Sequence, residues 1–88
     1  MISERLKELI LPYLRMELPK EEWKYIDSMF NEAIVGFDVD GYEVVTLPLL
    51  SHVGSEKGVE LSLQFFTLNG AYAGLEMWEV AKQHGTKA

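Results

Sequence analysis

The side chains in this sequence that could hold a metal, move a proton or attack an electrophile are two histidines, fourteen carboxylates and scattered hydroxyls; there is no cysteine. That excludes disulfides, thiolate nucleophiles and cysteine-based zinc sites. His52 follows Ser51 directly in the Ser51-His52-Val53-Gly54 segment, and His84 stands near the C-terminus. Adjacency in sequence does not make a nucleophile and its base, because the pair must meet in space with a third group orienting the imidazole. The Asp38-Val39-Asp40-Gly41 run echoes a calcium loop, but such a loop needs acids at positions one, three and five, glycine at six and glutamate at twelve. Here the glycine comes fourth, and a hairpin turn accounts for the same residues. The glycines match neither GxGxxG nor GxxxxGK[ST]. The expectation is a protein that is not an enzyme, with no catalytic residues, no cofactor and no metal.

Charge is the next chemical resource. The formal net charge is -6, and the excess is uneven. Glu4, Glu8 and Glu17 are balanced by Arg5, Lys7 and Arg15, whereas residues 20–43 carry Glu21, Glu22, Asp27, Glu32, Asp38, Asp40 and Glu43 against Lys20 and Lys24. Glu56, Glu60, Glu76 and Glu79 continue the trend. Phosphate recognition needs a clustered cationic footprint, so nucleic acid is not an expected direct ligand. A basic protein is the natural complement, although an acidic chain can also owe its charge to solubility alone.

The elements that must position these groups fit one domain of 88 residues. Without an apolar run near the ~18 residues that a membrane helix requires, no membrane span is expected. The N-terminal segment carries Glu4 and Glu8 within its apolar pattern, unlike a secretory signal, so a cytoplasmic location is expected. Ser3 can cap a first helix over about 3–14, with Ile2, Leu6, Leu9, Ile10 and Tyr13 on one stripe. Pro12 removes an amide, so this helix either kinks or ends between Leu11 and Arg15, the end being preferred. Pro19, Glu21 and Glu22 start a second helix over about 19–34, with Trp23, Ile26, Phe30, Ala33 and Ile34 as its stripe and Met29 adjacent.

Beyond Ile34 the apolar period becomes two. Strands are expected at about 35–39, 42–47, 58–67 and 71–80, with a tail at 81–88 and the Pro48–Gly58 loop joining two hairpins. A two-residue turn at Asp40-Gly41 sets Asp38 opposite Glu43 and puts Val35, Phe37, Val39, Tyr42 and Val44 on one face. For the second hairpin, a two-residue Asn69-Gly70 turn mixes apolar and charged residues on both faces. A three-residue Leu68-Asn69-Gly70 turn instead separates Leu61, Leu63, Phe65, Ala73, Leu75 and Met77 from Phe66, Tyr72, Glu76 and Trp78. A one-residue slip exchanges the faces, so the clean separation selects the three-residue turn.

The expected fold is α+β, two N-terminal helices packed on one face of an antiparallel sheet of three to five strands in a hairpin-rich meander. The uncovered face would present Phe66, Tyr72 and Trp78, with Val45 and Leu47 as further candidates, among Asp38, Glu43, Glu60 and Glu76. Aromatic anchors rimmed by polar groups mark interfaces. Their owner can be the tail or Leu49 and Leu50 of the same chain, a second copy in a homodimer, or a separate partner. A two-fold contact brings like charges together, which weighs against the homodimer.

In size, charge, absence of cysteine and architecture the whole chain resembles the small immunity proteins of bacterial toxin–immunity pairs, including those of contact-dependent growth inhibition. Those proteins share no common motif, so no residue role transfers by position. The resemblance implies a non-enzymatic, protein-binding inhibitor that neutralises a cognate toxin, expected to be a basic nuclease. Asp38, Glu43, Glu60 and Glu76 are then the candidate acidic recognition set, with Phe66, Tyr72 and Trp78 as anchors.

Overall fold

The computed structural model describes the backbone of residues 2–50 and 59–81 and the side chains of residues 2–50 and 61–78. The order is a helix α1 (Glu4–Glu17), a 3-10 segment (Lys20–Tyr25) that runs into a short helix α2 (Ile26–Asn31), then β1 (Ile34–Phe37), β2 (Glu43–Pro48), β3 (Val59–Leu68) and β4 (Ala71–Ala81). The strands form one antiparallel sheet in the order β1-β2-β3-β4. The class is α+β, as the sequence implies. His52 with residues 51–58, and His84 with residues 82–88, lie outside the described residues.

Ser3 caps α1 through its hydroxyl, which accepts from the Leu6 amide at 3.2 Å. The helix does not stop at Pro12 but continues to Glu17. Two features let it do so. Leu6, Ile10 and Leu14 are buried at four-residue spacing, and Leu18 extends the row, so the apolar face pulls the chain on past the proline. Pro12 and Glu8 are exposed, so the Glu8 carbonyl that loses its partner sits on the solvent side. Burying a leucine contributes about 2 kcal/mol, enough to offset much of a proline in a helix.

The second helical region is shorter and tighter than its periodicity suggests. Trp23 donates its indole N–H to the Leu18 carbonyl at 3.2 Å, and its ring receives Arg15 and Lys20 at 5.4 and 6.0 Å. Only Ile26, Met29 and Phe30 of its stripe are buried; Ile34 leaves the helix, opens β1 and is exposed. The buried residues of α1 and α2 form one hydrophobic cluster with Val45 and Leu47 of β2, Leu49, and Leu63 and Phe65 of β3. Leu49, which donates its amide to the Leu61 carbonyl at 2.8 Å, and Leu50 belong with this cluster.

The hairpin turns exchange the lengths assigned to them from sequence. In the first, the Asp38 amide donates to the Tyr42 carbonyl at 2.9 Å and the Gly41 amide to the Asp38 carbonyl at 3.1 Å. Gly41 has φ +87° while Asp40 stays at negative φ. The loop is therefore Val39-Asp40-Gly41, a three-residue turn closed by a glycine in the left-handed region, because the two-residue form needs positive φ at both positions. The Asp38 carboxylate locks it, one oxygen accepting from the amides of Asp40 and Tyr42, both at 2.9 Å. In the second hairpin Asn69 and Gly70 both have positive φ, 54° and 81°, and Leu68 pairs with Ala71. This is the two-residue turn, which asparagine accommodates better than aspartate or leucine.

A bulge then restores the faces. Thr67 pairs with Tyr72 but Phe66 with Gly74, leaving Ala73 as the extra residue, and from there Phe65 faces Leu75 and Leu63 faces Met77. The apolar grouping of Leu63, Phe65, Leu75 and Met77 thus exists by a route that combines a short turn with a bulge.

Candidate functional site

The cross-strand pairs assign each residue to a face. On the side that carries the buried cluster run the rows Val35–Val45–Phe65–Leu75, Leu47–Leu63–Met77 and Phe37–Glu43–Thr67–Tyr72. On the opposite side run Gly36–Val44–Phe66–Gly74, Ile34–Thr46–Gln64–Glu76 and Pro48–Ser62–Trp78. No element among the described residues packs on this second side, the open face.

Four of the seven sequence-selected residues bear on the open face. Phe66 stands at its centre, edge-on to Tyr42 with ring centroids 6.4 Å apart. Asp38 and Glu76 join these two rings and Gly74 in lining an open recess of about 300 Å3. Trp78 lies on the same face and is half-exposed, at 49%. The recess exists because Gly74 sits across from Phe66 without a side chain: a Cβ placed on it would meet no atom within 4 Å. Gln64 donates to the Thr46 hydroxyl at 3.2 Å, fixing two polar neighbours of Glu76 in its row.

The remaining three are placed differently. Tyr72 is on the helix side: its ring stacks on Tyr13 of α1, with centroids 3.7 Å apart and planes 6° from parallel, and stands 6.5 Å from Phe65. The bulge at Ala73 is the cause, since it sends Tyr72 and Gly74 to opposite faces although they are two residues apart. Burial raises the Tyr72 phenol above the ordinary tyrosine value, and the Tyr13 hydroxyl and Glu17 add to the rise. Glu43 also falls in a helix-side row, between Phe37 and Thr67, and the like-charge Asp38–Glu43 pair does not form. The three-residue turn shifts that register by one. For the same reason Tyr42 and Val44 leave the face of Val35 and Phe37. Val45 and Leu47 are fully buried rather than on the open face. Glu60 pairs with Val80, and its side chain lies outside the described residues.

Sequence reasoning missed Tyr42 as a site residue, because the two-residue turn sets it on the face of Val35 and Phe37. The signal for it was Asp38, whose carboxylate four residues earlier can cap a longer loop. Leu49 and Leu50 do not cover the open face, because they pack with the helix-side cluster. Met77, expected in the core, is 52% exposed.

The chemistry open to the recess is set by its lining. Its walls offer two carboxylates and two aromatic rings, a set that suits a cationic side chain by charge and by ring contact. No helix among the described residues is long and apolar enough to cross a membrane. The chain matches no protein-family model, no curated protein and no solved structure.

Proposed function

We propose that this protein is a non-enzymatic binding module whose open sheet face recognises a cationic partner protein, acting as an immunity protein that neutralises a basic, nuclease-type toxin. The observation that carries the reading is the recess lined by Asp38, Glu76, Tyr42 and Phe66 beside the half-exposed Trp78. An arginine or lysine of the partner entering it meets a carboxylate at each end and aromatic rings between them. Trp78 supplies the large apolar contact that interface anchors provide, while Glu76 at the rim steers the approach. Carboxylates arranged on a surface can stand in for nucleic-acid phosphates, which is how such a face would block a nuclease.

The first partner to test is the C-terminal domain of any large protein encoded immediately upstream of this gene, if that domain is basic. Trp78→Ala is expected to weaken binding by about 2 kcal/mol, roughly thirtyfold, and Glu76→Lys to slow association and weaken its salt dependence. Neither should move the melting temperature much, because both side chains are exposed. Unchanged affinity together with a large fall in melting temperature would make these residues part of the fold instead. A stable dimer in sedimentation that buries the open face would replace the partner by a second copy.

A further inference from the structure

Among the described residues no segment pairs with the outer edge of β1, which is a second feature of the surface. Asp38 directs its amide at Tyr42 of the neighbouring chain segment, and backbone groups alternate along a strand, so Gly36 and Ile34 also point to β2. The N–H and C=O groups of Val35 and Phe37 therefore point away from the sheet. Nothing in the strand discourages pairing there, since Ile34–Phe37 contains no charge, no proline and no bulge. Its exposed side chains are apolar: Ile34 is 70% and Phe37 74% exposed, and Val39, in the turn that follows, is fully so. The other edge, β4, is interrupted by the bulge at Ala73 and has α1 stacked against it through Tyr13 and Tyr72.

The charge around β1 decides what fits it. Residues 25–56 contain no lysine or arginine, whereas Glu32 precedes the strand and Asp38 and Asp40 follow it. From this we infer that β1 takes up an extended segment of another protein as a fifth strand, an apolar run of alternating side chains with lysine or arginine at both ends. Backbone hydrogen bonds to Val35 and Phe37 hold it, Ile34 and Phe37 contact its side chains, and the flanking cations meet Glu32 at one end and Asp38 and Asp40 at the other. A second copy fits poorly, because antiparallel pairing of two β1 strands lays the Asp38–Asp40 end of each against the Glu32 end of the other.

The inference shares the cationic partner and Asp38 with the functional reading, but it rests on the outward backbone groups of Val35 and Phe37 instead of the recess, and the test separates the two. The probe is a short peptide of alternating valine and threonine with a pair of lysines at each end, added to the full chain and followed by amide NMR. The amides of Val35 and Phe37 are expected to shift and to become protected from exchange, while those of Phe66 and Gly74 stay in place. The same peptide with glutamates at its ends should bind at least about tenfold more weakly. Phe37→Pro removes one outward N–H and no bond to β2, and should weaken the lysine peptide by about tenfold. Should that variant fail to fold, exchange protection in the unaltered protein still decides the matter. The inference fails if Val35 and Phe37 gain no protection, if both peptides bind alike, if the shifts gather at Phe66 and Gly74 alone, or if the free protein already dimerises through β1.

Discussion

Gly74 offers a perturbation in which fold and function move in opposite directions. It lies within β4 at negative φ, and a Cβ added there has no neighbour within 4 Å. Glycine in a strand is disfavoured by about 0.5–1 kcal/mol because the unfolded chain has more freedom to lose. Gly74→Ala should recover that amount, raising the melting temperature by roughly 2–8 °C for a domain of this size. Valine, with its higher strand preference, should also be tolerated, and its two methyl groups would occupy the floor of the recess opposite Phe66. Gly74→Val is therefore expected to weaken binding of a guanidinium probe, N-acetyl-arginine amide, by about tenfold or more at low salt. Gly36 supplies the control: it is on the same cross-strand row, its Cβ would also meet nothing within 4 Å, and it does not line the recess. Gly36→Ala should stabilise to the same extent and leave the probe's affinity alone. Thermal unfolding followed by circular dichroism and an NMR titration measure the two quantities. A lowered melting temperature for Gly74→Ala would show that the space is not open; a stable Gly74→Val that binds the probe unchanged would show that the recess is not where the guanidinium sits.

Pro12→Ala returns an amide to the middle of α1 at an exposed position, and should stabilise the protein by about 1–3 kcal/mol in chemical denaturation; a loss would mean that the proline is required where it stands. Tyr72 has its pKa raised in the folded state, so above the ordinary tyrosine value near 10 the unfolded chain releases its proton first. Its contribution is complete below that pH and is lost as the pH rises through the folded value. Tyr72→Phe should accordingly flatten the alkaline arm of the stability curve relative to the unaltered protein, with the two curves parallel at neutral pH.

Much of the fold is legible in the sequence because long periodic stripes specify it. The Leu6, Ile10 and Leu14 row and the alternation through Leu61, Leu63 and Phe65 each bury side chains on one side, and burial outweighs local exceptions such as Pro12. The turns are less legible, because the same dipeptide type serves two loop lengths. Asp-Gly and Asn-Gly differ only in how readily the first residue takes positive φ, and here Asn69 does while Asp40 does not. Each choice shifts a register by one, which explains why Phe66, Glu76 and Trp78 stand on the expected face while Tyr72 and Glu43 do not. For β4 the bulge at Ala73 reverses the effect of the short turn on all residues beyond it, so Leu75 and Met77 keep the side of Leu63 and Phe65, while Tyr72 changes sides and Ala73, expected in the core, becomes the exposed extra residue. The recess itself was hidden in a glycine: its absent side chain matters only once Phe66 is known to be opposite.

The central claim is that a built recess, and not diffuse acidity, gives the open face its preference for cations. The direct measurement is an amide NMR map of the protein titrated with N-acetyl-arginine amide at low salt. The account predicts shifts concentrated at Tyr42, Phe66, Gly74 and Glu76, abolished by Glu76→Gln. Shifts spread evenly over the carboxylates of both faces, with Glu8, Asp27 and Glu32 moving as far as Glu76, would contradict it.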